Sequence, residues 1–225
     1  MAGLARKIER IAKHALWVAV GSISGKKKPL SLPINFASAL SVLVIRPDRL
    51  GDVVLSTPVY ESIKNSFPHL RVSALVNRNN VPVLTNNPNV DEIISFDPRN
   101  PGTTIRQLRL NKFDIVFTLN KKFSAIASLL ALLSKAKYKI SYAHDETSWL
   151  YDIRLPIDKQ PRHESLNNLE LLAHSGLTKI SKAPRLYFTD DEEKKVNTRL
   201  NALREYPERP LVLIKPGTRV EKWGW

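Results

Sequence analysis

Short apolar, β-branched runs alternate with segments of helical periodicity along most of this 225-residue chain. Val42–Arg46, Arg71–Val76, Glu92–Phe96, Asp114–Leu119 and Lys137–Ser141 read as strands, and Asp52–Ser66, Asn79–Asn86, Thr103–Leu110 and Phe123–Ser134 as the helices between them. Pro68 and Pro88 fall where a helix should already have ended. Strands alternating with helices predict parallel pairing through right-handed crossovers, an α/β fold. After Ser141 the rhythm changes. Tyr142–Ile157 mixes aromatics, charges and a proline, as an irregular connection with room for a short strand does. Glu164–Ser175 is helical, with Leu166, Leu169, Leu172 and Ala173 on one side and Gly176 as a stop. Asp190–Tyr206 reads as a further helix opened by Thr189-Asp190-Asp191, and Leu211–Ile214 as a fresh buried strand. These breaks predict three segments: an N-terminal extension over 1–40, a Rossmann-like unit over 41–185, and over 186–225 the start of a second α/β unit that ends after one strand and one loop.

Composition narrows the class. Hydrophobic residues make up 43% and charged residues 25%, as in a globular protein. The chain has no cysteine, which excludes disulfides and thiolate metal sites. Lys plus Arg outnumber Asp plus Glu by 35 to 21, a formal charge of +14, so polyanions are the expected partners: nucleic acid, anionic lipid or phosphorylated small molecules. No helix-turn-helix, RNP or zinc-finger pattern supports the first of these. Nor is there an apolar run of membrane-spanning length. Leu4, Ile8, Ile11, Ala15 and Val18 fall at helical spacing among Arg6, Lys7, Arg10 and Lys13, with Lys26-Lys27-Lys28 following. That pattern suits a basic amphipathic helix lying on an anionic membrane, and equally a helix packed on the protein itself; a signal peptide, with apolar Ala15–Val20 and small Ser22-Ile23-Ser24, is a third and lesser reading.

Candidate chemistry gathers at two strand ends. After Val42–Arg46 comes Pro47-Asp48-Arg49-Leu50-Gly51-Asp52. A carboxylate opening a helix caps free amides and complements the dipole. At the carboxyl end of a strand beside a cleft, the same Asp52 is placed to accept a proton from a substrate hydroxyl, with Gly51 leaving room for close approach. Arg46 and Arg49 are candidates for a phosphate or carboxylate, the alternative being an ion pair with Asp48. Asn120-Lys121-Lys122, ahead of Ser124, ends the fourth strand on the same edge and is suited to an anionic acceptor. The second place is Lys215-Pro216-Gly217-Thr218-Arg219 with Lys222, where amides, a hydroxyl and an ammonium group suit a diphosphate without the spacing of a Walker loop. No metal-ligand cluster and no nucleophile triad is visible.

Taken in order, these residues resemble glycosyltransferase family 9, the ADP-heptose:lipopolysaccharide heptosyltransferases. The resemblance is carried by Arg46–Asp52 with Val53–Pro58 (VVLSTP), Asn89–Phe96 (NVDEIISF), Phe113–Ser124 (FDIVFTLNKKFS), His163–Leu177 (HESLNNLELLAHSGL) and Leu213–Trp223 (LIKPGTRVEKW), over residues 41–225. It implies a GT-B fold of two Rossmann-like domains, an acceptor domain followed by a nucleotide-sugar domain. It implies inverting, metal-independent transfer of heptose from ADP-heptose to a lipopolysaccharide core or lipid A-linked acceptor. On the match Asp52 is the general base, with Arg46, Arg49, Gly51, Lys121 and Lys122 toward the acceptor. Gly217, Thr218 and Lys222 hold the donor phosphates, and no cofactor or metal is needed. Its implied location is the cytoplasm, peripheral at the inner face of the cytoplasmic membrane. A donor domain ending at Trp225 predicts that the chain is inactive alone. The alternatives are a non-catalytic acceptor-binding module or one half of a split transferase completed by a separate chain; a nucleic-acid-binding protein is suggested by charge only.

Overall fold

The computed structural model describes residues 15, 17–21, 34–158, 160, 162–204, 209–212 and 214. The chain divides into two compact units, Met1–Tyr187 and Phe188–Trp225.

The first unit is built on β1 (Ser41–Arg46), β2 (Arg71–Asn77), β3 (Glu92–Phe96), β4 (Ile115–Thr118), β5 (Tyr138–Tyr142) and β6 (Ile153–Leu155). All neighbours pair in parallel, in the order β3-β2-β1-β4-β5-β6. This is the doubly wound arrangement, in which the chain leaves β1 in one direction and later returns to its other side at β4. The helices are α1 (Leu50–Val54), α2 (Thr57–Ser66), α3 (Gly102–Leu110), α4 (Ala125–Leu133) and α5 (Glu164–His174). α2 and α5 cover one face of the sheet, meeting Val42 and Val44 through Val59, Tyr60, Ile63, Leu171 and Leu172. α3 and α4 cover the other, meeting Leu43 and Ile45 through Leu108, Ala127, Leu130 and Ala131. With both faces covered, Val42–Ile45 of β1 are all buried and read as an unbroken apolar run.

Several sequence expectations change. Asp52–Ser66 is not one helix. Pro58 has no N–H to offer the carbonyl of Val54, so the chain turns at Leu55-Ser56 and starts again with the proline in the first turn of α2. The stranded carbonyls are recovered by side chains: Ser56 Oγ donates to Val53 O (2.7 Å) and Thr57 Oγ1 to Val54 O (2.8 Å). Asn79–Asn86 is replaced by a 3₁₀ turn over Arg78–Val83 with Pro82 inside it. The fifth strand is Tyr138–Tyr142, one residue later than expected, whereas the short strand for which the irregular connection left room does form, as β6. On α5, Leu166 and Ala173 are exposed while Ser165, Asn167, Asn168 and Leu171 are buried alongside Leu169 and Leu172. The buried face is partly polar because it is bonded. Asn167 Nδ2 donates to Glu164 Oε2 (3.2 Å), Asn168 Nδ2 donates to Leu55 O (3.2 Å), and Tyr142 Oη donates to the backbone carbonyl of Asn167 (2.6 Å).

The packed core begins before Ser41. Ile34, Phe36 and Ala39 are buried, and Phe36 stacks on Phe67 and Phe117 at 5.3 and 6.3 Å. Residues 17–21 are helical and Trp17 is buried, stacked on Trp149 (5.6 Å) and edge-on to Phe123 (6.4 Å). Ala15 and Val18, on the face singled out by spacing, are the exposed ones. The rest of that amphipathic pattern, with Lys26-Lys27-Lys28, lies outside the described residues.

In the second unit α6 (Asp190–Ala202) opens with a reciprocal cap: Thr189 Oγ1 accepts from Glu192 N (3.2 Å) and Glu192 Oε2 from Thr189 N (2.8 Å). It has no buried residue. Leu211, Val212 and Ile214 are exposed and lie in no strand, against the expectation of a buried one. A single apolar run has no neighbour to pair with or pack on among the described residues of this unit. Gly217, Thr218 and Lys222 lie outside the described residues.

Candidate functional site

β1 and β4 are adjacent, and their following segments leave in opposite directions across the sheet. The crevice left there is where doubly wound sheets bind ligands. It holds an open cavity of about 760 Å³, bounded by the loop after β1 (Arg46, Asp48, Arg49, Gly51, Asp52), the loop after β4 (Asn120, Lys121, Lys122), and Leu55, Ile157 and Glu164. The sequence-chosen residues Arg46, Arg49, Gly51, Asp52, Lys121 and Lys122 therefore meet at one place.

At its floor Arg46 is 3% exposed and surrounded by acceptors. Its Nη1 donates to Leu119 O, and its Nη2 to Glu164 Oε1 at 2.7 Å. Asp52 Oδ1 lies 3.5 Å from Nη2 and Asp48 Oδ2 lies 3.2 Å from Nε. The last contact lacks hydrogen-bond geometry, so its attraction is Coulombic. The ion pair with Asp48 is present, and the guanidinium acts as a buried hub for three carboxylates. Among the described residues no group of three or more His, Asp or Glu side chains is set to hold a metal ion; the centre of this trio is taken by a cation.

The three carboxylates differ. Asp48 accepts from Asn120 Nδ2 (2.7 Å), while its backbone carbonyl accepts from Asn80 Nδ2 (2.7 Å). Burial pushes its carboxyl above the ordinary range; Arg46 and the Asn120 bond oppose this, and the nearby Asp52 and Glu164 add to it. Glu164 opens α5, pairs with Arg46 and accepts from Asn167 Nδ2 (3.2 Å). Asp52 has the most exposed side chain of the three, at 34%. It is the third residue of α1, and its Oδ2 accepts weakly from Arg49 N (3.4 Å) at the start of that helix. Asp52 is thus tethered on one side by Arg46 and on another by a backbone amide, with the rest of its carboxylate facing the cavity. Capping and exposure to the cleft coexist, and such a group has lone pairs left for an incoming hydroxyl.

Gly51 lies beside it. A Cβ there would meet nothing within 4 Å, so the protein's own packing does not exclude a side chain. Arg49 and Lys122 are exposed, and Lys121 is half-buried with Nζ 3.3 Å from Asn167 Oδ1. Ser124 caps α4, its Oγ accepting from Ala127 N (3.3 Å). His144 lies under the same loop, its Nε2 3.4 Å from Asn120 O, and burial holds its imidazole below the usual range. His163 sits at the start of α5 without a side-chain cap, its Nδ1 2.7 Å from Ser165 Oγ. Sequence reasoning missed Glu164 as a site residue. Its signal was a carboxylate opening a helix, as with Asp52, but only the fold brings that helix against β1.

Residues 102–225 match the profile described as "Glycosyltransferase family 9 (heptosyltransferase)". The chain is 26% identical over 165 residues to lipopolysaccharide heptosyltransferase 3 of Escherichia coli K12, covering 68% of this chain and 47% of that protein. It is 24% identical over 170 residues to lipopolysaccharide core heptosyltransferase OpsX of Haemophilus influenzae, covering 72% and 48% respectively. The chain spans about half the length of the curated relatives it matches. Among solved structures, the family 9 glycosyl transferase from Veillonella parvula superposes with a TM-score of 0.74 at 20% identity, over 88% of this chain and 58% of that one. Escherichia coli ADP-heptose lps heptosyltransferase II gives a TM-score of 0.55 at 19% identity, over 76% and 53%. These superpositions show a shared α/β fold.

Proposed function

Because the chain belongs to glycosyltransferase family 9, the heptosyltransferase family, we propose that its first unit is the acceptor-binding side of an inverting sugar transferase. The donor is ADP-heptose and the acceptor a lipopolysaccharide core, consistent with what the related proteins are named for. In the proposed step an acceptor hydroxyl enters the cavity after β1 and gives its proton to Asp52. The hydroxyl oxygen attacks the anomeric carbon from the face opposite the leaving group. The bond from that carbon to the phosphate oxygen breaks, and ADP departs with the electron pair. The new glycosidic bond has inverted configuration. Donor phosphates fall to Gly217, Thr218 and Lys222, whose cationic and hydrogen-bonding groups suit a leaving diphosphate. Arg49, Lys121 and Lys122 supply positive charge at the rim for a phosphorylated acceptor. Arg46 holds Asp52 in place rather than binding the acceptor itself, since its charge is already shared among three carboxylates.

The observation that carries this reading is the tethered, third-exposed carboxylate of Asp52 in an open cavity at the sheet's switch point. Work at the inner face of the cytoplasmic membrane belongs to the same proposal; no helix among the described residues is long and apolar enough to cross a bilayer. The test is incubation with ADP-heptose and core acceptor, using this chain alone and a chimaera that supplies the donor-binding half of a family 9 enzyme. A mass gain of one heptose on the acceptor with the chimaera is the expected result. A chimaera that folds and binds ADP-heptose but never glycosylates the acceptor contradicts it.

A further inference from the structure

The side of the sheet covered by α3 and α4 has a surface that the site does not use. α4 has the sequence AIASLLALL, and only part of it is buried. Ala127, Leu130 and Ala131 pack on the sheet, whereas Ile126, Leu129 and Leu132 remain 43%, 47% and 37% exposed. Steps of three residues bring these side chains down one side of a helix about 14 Å long. Leu110, ending the neighbouring α3, is 67% exposed. One isolated exposed leucine needs no explanation, but an apolar ridge along the outer side of a helix that carries no charged residue does.

The charges around the ridge are nearly all of one sign. From Gly102 to Lys139 the chain carries eight cations and one carboxylate, Asp114. That carboxylate is taken up by the amides of Leu40 and Ser41 at 2.8 and 3.0 Å. Beyond the C-terminal end of α4, Arg109, Lys112, Lys135 and Lys137 line one hollow of about 480 Å³ together with Phe113 and Ser134. All four cations are exposed, and none forms a salt bridge with a carboxylate among the described residues. Placement at the ends of α3 and α4 favours them through the helix dipoles, but that accounts for neither their number nor the apolar ridge beside them. At the other end of α4, Lys121 and Lys122 border the cavity that holds Asp52.

We propose that the outer face of α3 and α4 is a docking surface for an anionic lipid bilayer. Ile126, Leu129, Leu132 and Leu110 enter the headgroup boundary, and Arg109, Lys112, Lys135 and Lys137 lie among the phosphates. Charge complementarity selects this occupant, because an apolar strip bordered by unpaired cations matches a surface that is apolar beneath and anionic above. The consequence for the site is geometric. α4 is capped by Ser124, two residues after Lys122, so a face lying on the bilayer sets one rim of the cavity at the membrane. An acceptor anchored in lipid then reaches Asp52 without leaving it. This inference concerns a surface separate from the cavity and stands whether or not sugar transfer is the reaction.

The experiment is flotation of this chain with vesicles of phosphatidylcholine alone and of phosphatidylcholine with phosphatidylglycerol, at low and high salt. Binding to the anionic vesicles, weakened by salt, is expected, with none to the neutral ones. Arg109→Gln with Lys137→Gln should weaken it about thirtyfold. Ile126→Ser with Leu129→Ser should weaken it at least about tenfold. All four positions are exposed, and unchanged thermal unfolding will verify that the fold is kept. Lys26→Gln, Lys27→Gln and Lys28→Gln together should leave most of the binding intact. Binding lost with those three lysines but kept in both α3–α4 variants overturns the proposal. So does binding that follows the cations and ignores Ile126 and Leu129, which identifies a general polyanion surface. A dimer in sedimentation without vesicles, abolished by the Ile126/Leu129 variant, assigns the ridge to a second copy and also overturns it.

Discussion

Replacing Arg46 with Met removes one cation from among three carboxylates, and the consequence can be worked from the geometry. The side chain is 4% exposed, and Glu164, Asp48 and Asp52 lie 2.7, 3.2 and 3.5 Å from its nitrogens. Methionine matches the apolar stem but leaves the carboxylates without their counter-ion. Breaking a buried pair by removing one partner typically costs about 3–5 kcal/mol. These carboxylates are about a quarter to a third exposed, so water screens part of the loss and the lower end, about 3 kcal/mol, applies. That is a large part of a typical domain stability of about 5–15 kcal/mol, and for a chain of this size about 6–12 °C in Tm. The effect depends on pH. Without the guanidinium, only the Asn120 bond opposes the burial and neighbouring charges that raise the Asp48 carboxyl, so the folded variant holds that proton more tightly than the unfolded chain does. The folded variant therefore binds more protons, and its stability falls as pH rises through the carboxylate range. The gap between wild type and variant should be small at pH 4 and reach its full size by pH 7. Urea unfolding at both values, followed by tryptophan fluorescence, measures it. A loss below about 1 kcal/mol at pH 7, or one of equal size at both pH values, would refute the hub role.

Four further outcomes follow from the same structure. Ser124→Ala removes the cap of α4 and should cost about 1 kcal/mol in urea unfolding. Gly51→Ala meets no obstacle within 4 Å and should raise stability by about 0.5–1 kcal/mol, while an acceptor titration shows weaker binding because the methyl group occupies the cavity rim. His144 is kept neutral by burial, so its contribution is complete above its ordinary value of 6.5 and is lost as pH falls through the lowered one. Wild-type stability should therefore drop between pH 7 and pH 5, and His144→Gln should flatten that slope in thermal unfolding. Trp17→Ala removes the ring between Trp149 and Phe123 and should expose residues 17–21 to fast amide exchange, with protection of β1 unchanged.

The parallel sheet was legible because strands covered on both faces are unbroken apolar runs, as in Val42–Ile45. The Asp52 site was legible because doubly wound folds bind ligands where β1 ends. What periodicity missed was decided by polar bonding and by tertiary contact. The break at Leu55-Ser56 depends on one missing N–H, at Pro58, within a helical pattern. The buried face of α5 includes Asn167 and Asn168 because Glu164, Lys121 and the Leu55 carbonyl offer their side chains partners that a hydrophobic pattern does not contain. Glu164 joined the site because Arg46 draws it in from 118 positions away. Trp17 is buried because Trp149 and Phe123 provide a surface for it, whereas spacing alone chose Ala15 and Val18.

The central claim is that Asp52 takes the proton of the acceptor. Its most direct test is single-turnover transfer from ADP-heptose by the chimaera, with Asp52 replaced by Asn. The account predicts a rate lower by about 10²–10⁴-fold, with acceptor affinity and thermal stability close to those of the parent. A rate within a fewfold of the parent, with a fall in stability instead, would show that the carboxylate only caps its helix.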